Sequence, residues 1–341
     1  MARLTVSLRD VAARAQVSMQ TVSNVVNGYP HVAEATRARV HAAISDLKYR
    51  PNLAARSLRS GRSGLIGLAL PELDVPYFAE IARLVVEEAA AHGFTVLAYQ
   101  TGGVRENEQL FISGIRSQLI DALIFTPVAL ARDDLKDWND QVPMVLLGET
   151  VEDGLNQVGI DSLKAGAAAT RHLIELGRQR IAAIGAPVGR TASTAHVRRL
   201  QGYRQALKDA RIGVDPELVP EVSTFHPTEG SRAMAQLLDL GTPPDAVFCF
   251  NDLLALGAIR QLLTRGYRVP DDVAVIGFDD IEECKYVTPT LSTVSPDKRE
   301  IARIALACVF SLLGLRESEP PHSTEISFRV LARESTLGPA P

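Results

Sequence analysis

The first fifty residues repeat an apolar position every three to four residues, in short bursts. Leu8, Val11, Ala12 and Ala15 fall on one side of a helix. Gln16-Val17 then makes a tight turn, and Ser18 is suited to capping a second helix over 19–27 that ends at Gly28. Val22, Val25 and Val26 form the inward stripe of this helix. Met19, Gln20, Ser23, Asn24 and Asn27 are left facing out. A third helix is predicted over 34–48, with Val40, Ile44 and Leu47 at i, i+4 and i+7, bracing the other two. The pattern predicts an all-α head, residues 1–50, built as a helix-turn-helix.

The period changes after residue 50. Arg50-Pro51 breaks the third helix, since a residue before proline avoids the helical region. Asn52 can cap a segment over 53–60. Eight residues are too few for a helix alone in water, where about 12–15 are needed, so residues 51–63 order only when packed on something. Their glycine and serine suit a plain linker equally well. From Leu65 on, short apolar runs alternate with amphipathic stretches. Buried strands are predicted over 65–70, 94–99, 122–125 and 144–147, and again over 181–185, 246–250 and 273–278, with a helix over 78–92 as one example of the covering elements. Strand–helix alternation means parallel sheets covered on both faces. Two such series give an α/β body of two Rossmann-like lobes, with ligand sites favoured at strand carboxyl ends in the cleft between them.

Charge changes what the head is for. Residues 1–63 hold ten basic and three acidic residues; the remainder holds twenty-six basic and thirty-seven acidic. A basic head on an acidic body is the footprint of a polyanion-binding module. The outward face of the second helix adds the chemistry. Gln and Asn pair bidentately with adenine edges in the major groove, and the Thr21 and Ser23 hydroxyls suit phosphate oxygens. Double-stranded DNA is therefore the expected partner. Of 341 residues 46% are hydrophobic, enough for real cores. No apolar run reaches the ~18 residues of a membrane span, and the first seven residues lack an apolar signal core. Cys249, Cys284 and Cys308 are odd in number and set in apolar surroundings, which points to reduced buried thiols. A cytoplasmic protein, nucleoid-associated when bound to DNA, is the expectation.

Residues 8–49 closely resemble the head of the lactose-repressor (LacI/GalR) family, through Val17-Ser18, Thr21-Val22-Ser23, Val26-Asn27-Gly28, Thr36-Arg37, Leu47 and Tyr49. One departure stands out: the family commonly has arginine where this chain has Asn24, and arginine favours guanine. The resemblance implies that residues 51–63 are a hinge helix whose Leu58 wedges into the minor groove of a palindromic operator. Ala55, Arg56 and Leu58 then touch DNA, with Arg56 and Arg59 facing phosphates. It also implies a homodimer, possibly a higher oligomer.

The body is similar to the type I periplasmic sugar-binding fold that the same family carries. The resemblance implies crossings between lobes near Asp161, Val294 and His322. The lobes are then 64–161 plus 295–322 and 162–294 plus 323–341. It implies a small-molecule effector, sugar-like, in the cleft. Asn251, Asp252, Asp279 and Asp280 each follow an apolar strand. Asp279 and Arg199 match the family's pocket aspartate and arginine, and Asn251 is a third polar contact. Tyr77, Phe78 and Phe225 are candidate apolar walls, with core packing the competing role. The family's acidic pocket position after the fourth strand falls on Gly148, beside Glu149.

Enzyme chemistry finds little support. There is no GxxxxGK[ST] loop, HExxH, CxxC, GxGxxG or GxSxG, and the seven histidines lack metal-ligand spacing. No cofactor and no metal is expected, and the chain reads as a non-enzyme. A sugar-binding receptor is the alternative, although it has no use for a DNA-reading head.

Overall fold

A computed structural model describes residues 6–26, 29–49, 62–113, 119–130, 134–135, 142–149, 154–187, 194–316 and 323–338. The chain forms two compact units, residues 1–63 and 64–341.

The head consists of α1 (Leu8–Ala15), α2 (Met19–Val26) and α3 (Glu34–Asp46). Local chemistry sets their ends. Ser7 and Asp10 form a reciprocal cap: the Asp10 N–H donates to Ser7 Oγ at 3.4 Å and the Ser7 N–H to Asp10 Oδ2 at 2.8 Å. Gln16 sits in the left-handed region at φ 53° and turns the chain after α1. Ser18 caps α2, its Oγ accepting from the Thr21 N–H at 3.0 Å. Val11, Ala12, Ala15, Val22, Val25, Val40, Ala43 and Tyr49 are buried together, and Arg14 pairs with Asp46 at 2.7 Å to tie α1 to α3. The third helix stops at Asp46, two residues before the predicted end. Asn27 and residues 51–61 of the hinge predicted over 51–63, with Ala55, Arg56 and Leu58, lie outside the described residues.

The body contains β1 (Leu65–Leu70), β2 (Thr95–Gln100), β3 (Ala122–Phe125), β4 (Met144–Leu147), β5 (Asn156–Gly159), β6 (Ile181–Ile184), β7 (Ala186–Pro187), β8 (Glu221–Val222), β9 (Ala246–Cys249), β10 (Ala274–Phe278), β11 (Ser292–Pro296), β12 (Ser323–Glu325) and β13 (Phe328–Leu331). One sheet runs β12-β5-β4-β3-β1-β2, all parallel. The other runs β13-β11-β10-β9-β6, parallel except for β13. The period-2 alternation of each strand feeds two cores. In the second lobe Ile181, Ala183, Phe248 and Ile276 face one side, while Ala182, Ile184, Val247 and Val275 face the other. In the first lobe Ile66, Leu68, Ile124 and Val145 oppose Ala69, Leu123, Phe125 and Met144. The three cysteines are free and buried.

The strand assignments fix the crossings. The chain leaves the first sheet after β5, at Ile160-Asp161, and leaves the second after β11, at Pro296. Its last passage is at Ile326-Ser327, between β12 and β13. Two boundaries implied by the resemblance need correction. Val294 is inside β11 of the second sheet, so the crossing comes two residues later. Residues 323–325 pair in parallel with Gln157, Val158 and Gly159 and belong to the first lobe.

The helix pair Ser162–Glu175 and Thr194–Asp209 packs with backbones almost touching. A Cβ on Gly202 would stand 2.1 Å from the Leu163 carbonyl oxygen. Glycine there lets Arg199, one turn earlier, reach the cleft.

Candidate functional site

On the head, α2 exposes Met19 (53%) and Gln20, with Thr21, Ser23 and Asn24 partly covered. The helix carries no charged side chain. Gln20 Nε2 donates to Asn24 Oδ1 at 3.0 Å, and Thr21 Oγ1 lies 2.8 Å from Ser18 Oγ. The two amides keep donors and acceptors available to base edges, so this face can read hydrogen-bond patterns in a groove.

In the body, a cavity of about 660 Å³ opens between the lobes, at the carboxyl ends of β1, β3, β4, β9 and β10. Tyr77, Phe78, Arg199, Phe225, Asn251 and Asp279 all line it. Tyr77 and Phe78 start the helix Pro76–Ala91, their rings edge to face at 5.3 Å. Phe225 lies on the opposite lobe, stacked on His196 at 3.7 Å and 13°.

Asp279 follows β10 directly, at φ 110°, and is 7% exposed. Its carboxylate accepts no hydrogen bond among the described residues. Burial pushes its pKa up to about 7, with Arg199 and Lys298 pulling the other way. The Arg199 guanidinium lies 3.5 Å over the Phe278 ring and donates from Nη1 to the Phe250 carbonyl. Its Nε is buried with no partner among the described residues. Burial lowers its pKa, opposed by Asp279 and Glu149. His196 is held well below its usual range by burial and by Arg199, so the stacked ring is neutral.

Asn251 lines the cavity, but its amide is largely committed. Oδ1 accepts from the Leu254 N–H at 2.9 Å as a helix cap, and Nδ2 donates to the Phe225 carbonyl at 2.9 Å. One N–H remains for a ligand. Asp280, adjacent to Asp279, points away, bound by Arg333 at 2.6 Å and Ser295 at 2.9 Å. Asp252 is buried beneath Thr293 Oγ1 at 2.6 Å, its pKa raised by burial to about 6. Both serve the frame.

The position of Glu149 was not legible in sequence. It lines the cavity from the first lobe, 6% exposed at its side chain, and pairs with Arg198 of the second lobe at 2.8 Å. Arg198 also donates to Asp161, at the first crossing, at 2.9 Å. Glu72 and His226 meet across the lobes at 3.2 Å. The signals in the chain were that Glu149 follows a strand by two residues and stands beside Gly148, where the family's acidic pocket position falls. Gly148 itself has φ 134°, a conformation that favours glycine. Among the described residues no cluster fit to hold a metal occurs, and no helix is long and apolar enough to cross a membrane.

A helix-turn-helix unit and a two-lobed body whose largely apolar inter-lobe pocket holds a few buried polar groups define a ligand-responsive, DNA-binding transcriptional regulator. Residues 7–52 match the bacterial regulatory proteins of the lacI family, and residues 170–336 a periplasmic binding protein-like domain. The HTH-type transcriptional repressor CytR of Escherichia coli (strain K12) is 36% identical over 302 residues, 88% of this chain and 87% of its own. The solved complex of the transcriptional regulator CelR with cellobiose is 32% identical, with TM-score 0.71, over 97% of this chain and 99% of that one. The lac repressor dimer bound to operator and the anti-inducer ONPF is 28% identical, with TM-score 0.82 and the same coverage. The chain belongs to the lacI family of bacterial regulatory proteins, and the relatives named are transcriptional regulators.

Proposed function

We propose that the chain is a homodimeric repressor of a palindromic operator, switched by a small, neutral, sugar-like metabolite bound in the cleft. The observation that carries the effector class is that Asp279 and Arg199 line the same cavity of about 660 Å³, Arg199 with a buried Nε that has no partner among the described residues and Asp279 with a buried carboxylate. A carboxylate that accepts and a guanidinium fork that donates suit a polyhydroxylated ring. Of the other acids that line the cavity, Glu149 is already paired with Arg198 and Glu72 lies against His226. Tyr77 and Phe78 supply flat apolar surface for C–H faces. CelR in complex with cellobiose supports the same class.

Operator binding is attributed to Met19, Gln20, Thr21, Ser23, Asn24 and Asn27, with Ala55, Arg56 and Leu58 in the minor groove. The lac repressor dimer on operator supports this assignment. Exposed Val86 and Leu97 on the first lobe, and Leu263 and Tyr286 on the second, support a dimer. The effector acts to the extent that it prefers one lobe arrangement. A cytoplasmic, nucleoid-associated protein without catalytic activity follows from this role.

The test is fluorescence anisotropy on a labelled palindromic operator, run against a panel of mono- and disaccharides. Operator affinity altered by a sugar, with the response lost in Arg199→Ala, is the expected result. Operator binding that no neutral sugar alters, but a nucleobase does, would overturn the effector class.

A further inference from the structure

A second cavity, of about 510 Å³, lies where the second and third crossings run side by side. Residues 295–299 and 327–329 line it, with Glu80 and Leu84 from the helix Pro76–Ala91. It shares one lining residue with the effector pocket, Pro296. Its acidic groups are committed: Glu80 pairs with the buried Lys298, and Asp297 Oδ1 accepts from the Glu300 N–H at 2.9 Å. Lys298 is spent as well, donating also to the Asp280 carbonyl at 2.8 Å. The guanidinium groups of Arg299 and Arg329 are exposed and have no partner among the described residues. Glu80 offsets Lys298 and Asp297 offsets one arginine, so the lining carries one net positive charge, and both guanidinium forks stay free to bind an anion.

The two arginines belong to different lobes. Arg299 is in the helix Lys298–Leu312, which packs on β3, β4 and β5 of the first sheet, whereas Arg329 is in β13 of the second. We propose that this cavity is a second ligand site, for a small phosphate-bearing polyanion held between Arg299 and Arg329. Guanidinium forks match phosphate oxygens. An anion that needs one fork from each lobe binds only when the lobes set the forks at the right span. Its affinity thus depends on the lobe arrangement, which the effector pocket also senses. Anion and effector are then coupled, reciprocally, through that arrangement. The coupling to operator affinity rests on the repressor reading above; the site itself does not.

The test is calorimetric titration of the full chain with inorganic pyrophosphate at fixed ionic strength. Arg299→Gln and Arg329→Gln are each expected to weaken binding about tenfold, and the double variant to abolish it. Both side chains are exposed, so both variants should fold. Binding unchanged in the double variant marks an adventitious ion only, and that result, like no binding at millimolar pyrophosphate, overturns the proposal. In a second arm, pyrophosphate is expected to change operator affinity in the parent chain and not in the double variant. An equal response in both places the anion's effect on the basic head and overturns the coupling. Failure of the repressor reading is distinguishable, because it appears as no operator binding with or without the anion.

Discussion

Asp279 is buried, stands in a backbone conformation that non-glycine residues rarely adopt, and has a carboxyl pKa of about 7. Such groups cost stability and are kept where a ligand repays it. Its unfolded pKa is near 3.9, so the native state binds its proton more tightly. The stabilisation is fully present below about pH 4 and is lost as pH rises through about 7. Asp252, raised to about 6, acts in the same direction. Asp279→Asn should therefore flatten the fall in thermal midpoint between pH 4 and 7.5, leaving only the part due to Asp252 and the rest of the chain. Parallel curves for parent and variant would contradict the assignment. The charge also matters for recognition. Removing it, or the Arg199 fork, forfeits hydrogen bonds to a charged group worth about 1.5–3 kcal/mol. Asp279→Ala and Arg199→Ala should each weaken the effector roughly tenfold to a hundredfold by calorimetry.

At the scale of elements, the helix pair behind Arg199 depends on a missing side chain. A Cβ on Gly202 would meet the Leu163 carbonyl oxygen at 2.1 Å and the Ala167 nitrogen at 2.7 Å, backbone atoms that cannot step aside singly. Gly202→Ala should cost about 1–3 kcal/mol in urea unfolding and displace Arg199. Gly213→Ala, where nothing lies within 4 Å, is the control and should be neutral or better. The head was legible because its signals are local: Ser7, Ser18 and the Val22/Val25 stripe act within one or two turns. Strands β1, β3, β4, β6, β9 and β10 were legible because a strand buried on both faces reads as a continuous apolar run. Strand β5 is equally buried but reads Asn-Gln-Val-Gly, and β12 and β13 are short strands at sheet edges. Only long-range pairing defines those three, which is why the last crossing was misplaced. The site followed the same rule. Asp279 and Arg199 could be named from strand ends and motif, whereas Glu149 turns inward because Arg198, 49 positions on, holds it there.

For the whole molecule, the edge strand β2 poses the remaining problem. Its row of residues is largely exposed, Leu97 at 43%, and Val86 on the neighbouring helix stands at 46%. An unpaired sheet edge with apolar side chains invites association, and a second copy of the chain is the orderly way to cover it. A dimer also explains how a head this small can bind well. Two heads double the phosphate contacts, and the slope of log affinity against log salt scales with their number. Leu97→Glu places a charge in that surface, where burial without a partner is unfavourable. The variant should sediment as a monomer at micromolar concentration. Its operator affinity should fall, and its salt slope should drop to about half, since one head engages at a time. Effector binding should stay as in the parent, because Leu97 is not among the residues that line the pocket. A variant that remains dimeric moves the interface elsewhere, with Leu263 and Tyr286 on the other lobe the next surface to charge. A monomer that keeps the full salt slope separates dimerisation from operator recognition altogether.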